Sequence, residues 1–144
     1  MRNKNLPSLF SDFAYNFNPS SLPISSINIF KICLADWVSV SIAAQGSNIA
    51  KIILSLTKEE GRVQDSFIFG HKSYVSCKTA ALINGTISHA LDYDDTHFDY
   101  LGHPSVVVLS AALAISDKYK FSFEEFKNAS IIGMETSCRI GKWL

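Results

Sequence analysis

Between Asn84 and Ser105 the chain concentrates groups that can move protons and hold anions. This window contains three of the four histidines (His89, His97 and His103) and four of the thirteen acidic residues (Asp92, Asp94, Asp95 and Asp99). Crowding like charges costs free energy unless cations or hydrogen bonds compensate, so stability alone gives little reason for such a cluster. Imidazole, carboxylate and hydroxyl groups are the parts needed for acid–base catalysis and for orienting a polar substrate. On a helix running through the acidic stretch, Asp92 and Thr96 are four apart and lie side by side, with His89 on the same face and Asp95 on its flank. A second element is Gly102-His103-Pro104-Ser105. Proline suits the first helical position, which puts His103 at the cap. Free backbone N–H groups and the positive end of the helix dipole then sit beside its imidazole, a natural site for a substrate carboxylate.

Blander readings apply to part of this window. Asp94 and Asp99 read as a solvated turn, and His71, which follows Gly70, reads as a loop histidine. Metal binding is a rival use of Asp-x-Asp-Asp-x-His, with Asp92, Asp95 and His89 as the ligand set. Adjacent aspartates on a helix diverge, and there is no His-Glu-x-x-His, EF-hand spacing or Cys/His set, so no metal is expected. Cys33, Cys77 and Cys138 are odd in number and widely spaced. They read as small buried hydrophobes in a reducing compartment.

The elements that must position these residues are helical by period. Ser8 is the expected cap of a short helix ending near Phe17, and residues 18–21 form a turn. Pro23 opens the next helix, whose face is Ile27, Phe30, Leu34, Trp37, Val38 and Ser41. It ends near Gln45-Gly46 with glycine as a left-handed cap. Asn48 then caps a shorter helix that buries Ile49, Ile52, Ile53 and Leu56 and stops at Gly61. Residues 66–70 suggest a small extended piece. A long helix starts near Ser76 with Ala80, Ile83, Ile87 and Ala90 inward. Another starts at Pro104 and is apolar nearly all round, as a central helix would be. Ser122-Phe123-Glu124-Glu125 is a capping box for the last one. The expected fold is all-α, in one domain over residues 1–144.

Composition narrows the classes. With 144 residues, 47% of them hydrophobic, and a formal net charge of zero, the chain is a globular domain without the basic surface that nucleic acids require. The run from Val106 to Ile115 is too short to span a bilayer, and Pro7, Ser11 and Asp12 interrupt any leader. A cytoplasmic protein with no nucleic-acid or membrane partner is the expectation.

The stretch from Asn84 to His97, followed by Gly102-His103-Pro104-Ser105, resembles the signature of the MmgE/PrpD family. Leu34-Ala35-Asp36-Trp37 resembles the family's early helix, and Gly133 to Gly141 a later one. The family includes 2-methylcitrate dehydratases, cis-aconitate decarboxylases and iminodisuccinate epimerases. The resemblance implies metal-independent, cofactor-free chemistry beside the carboxylates of a small polycarboxylate, in a homodimer when complete. By the same resemblance Asp92, Thr96 and His103 are catalytic, and His89, His97 and Ser105 are candidates for substrate binding. Asp92 would exchange a proton or orient partners, Thr96 would hydrogen-bond the substrate, and His103 would hold a carboxylate or act as acid/base. Complete members are longer and draw a lysine and a tyrosine from later regions, so the chain reads as an N-terminal part of the family's helical domain. A 2-methylcitrate dehydratase-like lyase is the leading expectation. The alternatives are an iminodisuccinate epimerase-like isomerase and a non-catalytic helical interaction module.

Overall fold

The computed structural model describes residues 5–58 and 63–142. Six helices dominate: α1 (Leu6–Tyr15), α2 (Ile24–Ala43), α3 (Asn48–Leu54), α4 (Cys77–His89), α5 (Pro104–Tyr119) and α6 (Phe123–Gly141). Two two-residue strands, β1 (Ser66–Phe67) and β2 (Tyr74–Val75), pair antiparallel. They are too short to change the class, and the fold is all-α as the periodicity predicts.

Several starts differ from the sequence expectation by a cap. Asn5, not Ser8, opens α1. Its Oδ1 accepts from the Ser8 N–H at 3.1 Å, and Pro7 falls in the first turn, where its missing donor costs nothing. Pro23 is itself the cap of α2. The far end of α2 tightens into a 3-10 turn, Ala44–Gly46, so Gly46 adopts no left-handed conformation. Ser47, one residue before the expected Asn48, then caps α3 by accepting from the Ala50 N–H. That start turns Ala50 into the core and leaves Ile49 and Ile52 exposed, with Ile53 and Leu56 only partly covered. The expected stop at Gly61 lies outside the described residues. The Ser122 capping box is present as expected: its hydroxyl accepts from the Glu125 N–H, and Glu125 accepts from the Ser122 N–H at 2.7 Å.

Helix α5 is central. Val106 and Leu109 pack with Phe30 and Trp37 of α2 and Phe126 of α6. Ala114 closes a second cluster with Ala80, Ile83 and Ile87 of α4 and Val75 of the hairpin. Close approach depends on small residues. A Cβ on Gly85 would stand 3.4 Å from the Val106 carbonyl oxygen, and one on Gly133 only 2.8 Å from Val108 Cγ1. Two buried polar side chains tie the elements together. Trp37 Nε1 donates to Ser110 Oγ at 3.1 Å. Asn84 accepts from the Phe69 N–H and donates to the Phe67 carbonyl, which ties the hairpin to α4.

Val106 to Ile115 is too short to span a membrane, but Ile24–Gly46 is long and apolar enough by length and composition, with a mean hydropathy of 1.5. Lys31 and Asp36 interrupt that run without lowering its mean below a span's. Phe30, Trp37, Val40 and Ser41 of the stretch are buried within the protein, while Ile24, Ile29, Ile32 and Ile42 are exposed.

Candidate active site around Asp94

The helical geometry expected for the acidic stretch does not form. Helix α4 stops at His89, and Asp92 takes a left-handed conformation with φ 55°, which reverses the chain. Asp92 and Thr96 therefore do not share a helix face. A second tight turn follows: His97 and Gly102 form a β-bridge, with His97 N donating to the Gly102 oxygen and Leu101 N to the His97 oxygen, both at 2.9 Å. Leu101 is left-handed at φ 56°. Gly141 of α6 lies so close to Asp99 and Tyr100 that no Cβ would fit there, and Lys142 pairs with Asp99 at 3.0 Å. Asp99 is thus braced and half-exposed, not merely solvated.

These turns bring His89, from the end of α4, against His103, at the start of α5, with ring centroids 4.7 Å apart. Asp94 holds them together. Its side chain is 1% exposed, so it is no solvated turn residue. His89 Nδ1 donates to its Oδ1 and Oδ2 at 3.0 and 3.1 Å. His103 Nδ1 donates to the Asp94 backbone carbonyl at 3.2 Å and lies 3.0 Å from Oδ2. A buried carboxylate needs such donors to offset lost hydration. Asp92 stands on the open side, its side chain 79% exposed. Its Oδ1 is 3.6 Å from His103 Nε2 and 4.0 Å from His89 Nε2. The two rings border a surface hollow formed with Tyr100, Leu101, Gly102, Val106 and Val107.

The remaining expected residues lie elsewhere. Ser105 is fully buried. Its hydroxyl donates to Asp95 Oδ2 at 2.5 Å and its N–H to Asp95 Oδ1 at 3.3 Å. The anion at the N-terminus of α5 is therefore the chain's own Asp95, and Ser105 holds that carboxylate in place of a substrate. Asp36 of α2 in turn accepts from the Asp95 N–H at 3.1 Å. Asp95 is thus separated from His89 and Asp92, and the metal-ligand set considered from sequence is replaced by His89, Asp92, Asp94 and His103. Thr96 and His97 line a different pocket with Cys33, Pro104, Met134 and Cys138. His97 Nδ1 accepts from the Asp99 N–H at 3.2 Å, so this ring serves the loop. Burial pushes the Cys33 thiol up, the nearby Ser105 hydroxyl opposes that, and the Asp95 charge adds to it.

Spacing could not reveal the roles of Asp94, Asp36 or Cys33. In an irregular turn, sequence separation does not say which aspartate points inward.

The family model described as the MmgE/PrpD N-terminal domain matches residues 8–144. The chain belongs to this family. No curated protein matches it significantly. In this MmgE/PrpD domain the motif window divides physically. Asn84 and Gly85 join α4 to the hairpin and to α5, Asp95 and Ser105 anchor the start of α5, and His89, Asp92 and His103, with Asp94 buried behind them, form the polar cluster.

Proposed function

We propose that this domain contributes acid–base and anion-holding groups to a lyase acting on small polycarboxylates, of the 2-methylcitrate dehydratase type. The observation supporting this reading is the pair of imidazoles pinned through Nδ1 by buried Asp94, each turning its Nε2 toward exposed Asp92. A substrate carboxylate is recognised where protonated Nε2–H groups converge. Dehydration removes a proton from the carbon beside a carboxylate and expels the neighbouring hydroxyl as water, leaving a carbon–carbon double bond. Asp92 or an imidazole accepts the first proton, and an imidazolium donates to the leaving oxygen. The negative charge that builds on the carboxylate-bearing carbon needs donors aimed at it. Thr96, in the neighbouring pocket, is the candidate for holding the far end of the substrate. The reading requires no bound metal or cofactor and is compatible with a homodimer in the cytoplasm.

The test is incubation of the protein with 2-methylcitrate, followed by ultraviolet absorbance and thermal melting. The expected result is rising absorbance from the new double bond and a raised Tm. His103→Ala should lower the rate by about 10²–10⁴-fold, as loss of a general acid–base does. Neither absorbance change nor stabilisation would count against the dehydratase. An epimerase of the same family would instead exchange the substrate proton with D₂O without gaining absorbance, and a helical interaction module would show only self-association.

A further inference from the structure

The polar cluster presents three ligand atoms that have no hydrogen-bond partner among the described residues: His89 Nε2, His103 Nε2 and Asp92 Oδ1. The cause is the way the rings are held. His103 Nδ1 faces the Asp94 backbone carbonyl, an atom that only accepts, so this nitrogen carries the proton. His89 Nδ1 faces both oxygens of the Asp94 carboxylate and carries its proton for the same reason. In the neutral form, which a bound cation selects and a bound carboxylate does not, each ring has its lone pair on Nε2, and both Nε2 atoms sit beside one carboxylate.

Distances fit this geometry. Asp92 Oδ1 is 3.6 and 4.0 Å from the two Nε2 atoms, too far for hydrogen bonds. Metal–ligand bonds of about 2.0–2.1 Å arranged tetrahedrally put ligand atoms roughly 3.4 Å apart. Asp92 is exposed enough to close the difference by rotation. One ligand atom from each of His89, Asp92, Asp94 and His103 lies within 4.8 Å of the others. Both Asp94 oxygens already face Nδ1 atoms, so this residue acts from behind as the carboxylate that orients a ligating histidine.

We propose that His89 Nε2, His103 Nε2 and the Asp92 carboxylate bind one divalent transition-metal ion of borderline softness, with Zn²⁺ as the type. Two imidazoles and a single carboxylate suit such an ion. Mg²⁺ and Ca²⁺ prefer six or more oxygens. A fourth position faces the solvent. The ion occupies the same atoms that the polycarboxylate reading assigns to substrate, so it blocks that chemistry and does not assist it. The site rests on geometry alone and stands whether or not that reading holds.

Titrating the metal-free 144-residue chain with Co²⁺, followed by visible absorption, tests the proposal in a buffer without chelating carboxylates. The expected result is one Co²⁺ per chain with a strong d–d band, displaced by Zn²⁺. Asp92→Asn alters an exposed side chain outside every helix, so folding is preserved, and affinity should fall at least about tenfold. Asp94→Asn should weaken it by about 10–100-fold, as loss of an orienting partner does. His71→Ala, in the hairpin turn, should leave it unchanged. Circular dichroism accompanies each variant. Absence of a saturable d–d band, or a band that Asp92→Asn leaves intact, overturns the proposal.

Discussion

Asp94 Oδ2 lies 3.0 Å from His103 Nδ1, beneath a turn that leaves only 1% of the Asp94 side chain exposed. The carboxylate fixes the ring from the protein side, and Nε2 alone faces outward. Asp92, two residues earlier, touches the same ring from the solvent side. Two aspartates of one motif therefore do opposite jobs.

That division predicts unequal effects on stability. Asp94→Ala removes the acceptor of two imidazole contacts and should destabilise by roughly 1–3 kcal/mol. Asp92→Asn, on an exposed side chain, should stay within about 0.5 kcal/mol of the parent. Urea denaturation of both variants checks this. Equal losses would contradict the assignment of Asp94 as the buried anchor.

Ser105→Ala should act through Asp95 and not through substrate contact. The Asp95 carboxylate loses its hydroxyl donor at the buried start of α5, with an expected cost of about 1–3 kcal/mol. In turnover assays the variant should keep its KM for a polycarboxylate while its Tm falls. A raised KM with unchanged Tm would place Ser105 in the binding site after all.

Two glycines should respond oppositely to alanine. Gly133→Ala puts a Cβ 2.8 Å from Val108 Cγ1 where α5 and α6 cross, and overpacking of this kind costs about 1–3 kcal/mol. Gly46→Ala meets nothing within 4 Å and has no positive φ. It should be neutral or stabilise by up to about 1 kcal/mol through a less flexible unfolded chain. Denaturation midpoints of the two variants decide the matter.

Cys33 should alkylate slowly. Burial raises its thiol above the ordinary value, and Asp95 adds to that shift, so less thiolate is present than for a free cysteine at mildly alkaline pH. Iodoacetamide trapping at pH 8 with peptide mapping reads this directly. The linkage sign follows. The stability associated with the neutral thiol is present below the unfolded thiol's pKa and is lost as pH rises through the higher folded value. Cys33→Ala should therefore flatten the fall in stability on the alkaline side.

The sequence by itself determined the helices, most of the core and the stretch that carries the polar cluster. Periods of three and four placed Ala80, Ile83 and Ile87 inward, Pro104 opened α5, and Ser122 with Glu125 opened α6. These are local signals, written within one or two turns of chain. The pairing of His89 with His103 was legible only as a shared motif. Which aspartate would be buried between them depended on the left-handed turn at Asp92 and on the braced loop against Gly141. Asp36, far away in sequence, completes the anchor of α5 through Asp95. Only the tertiary structure could decide those roles, because in irregular backbone a side chain's direction is set by packing against distant elements, and no repeat in the sequence encodes it.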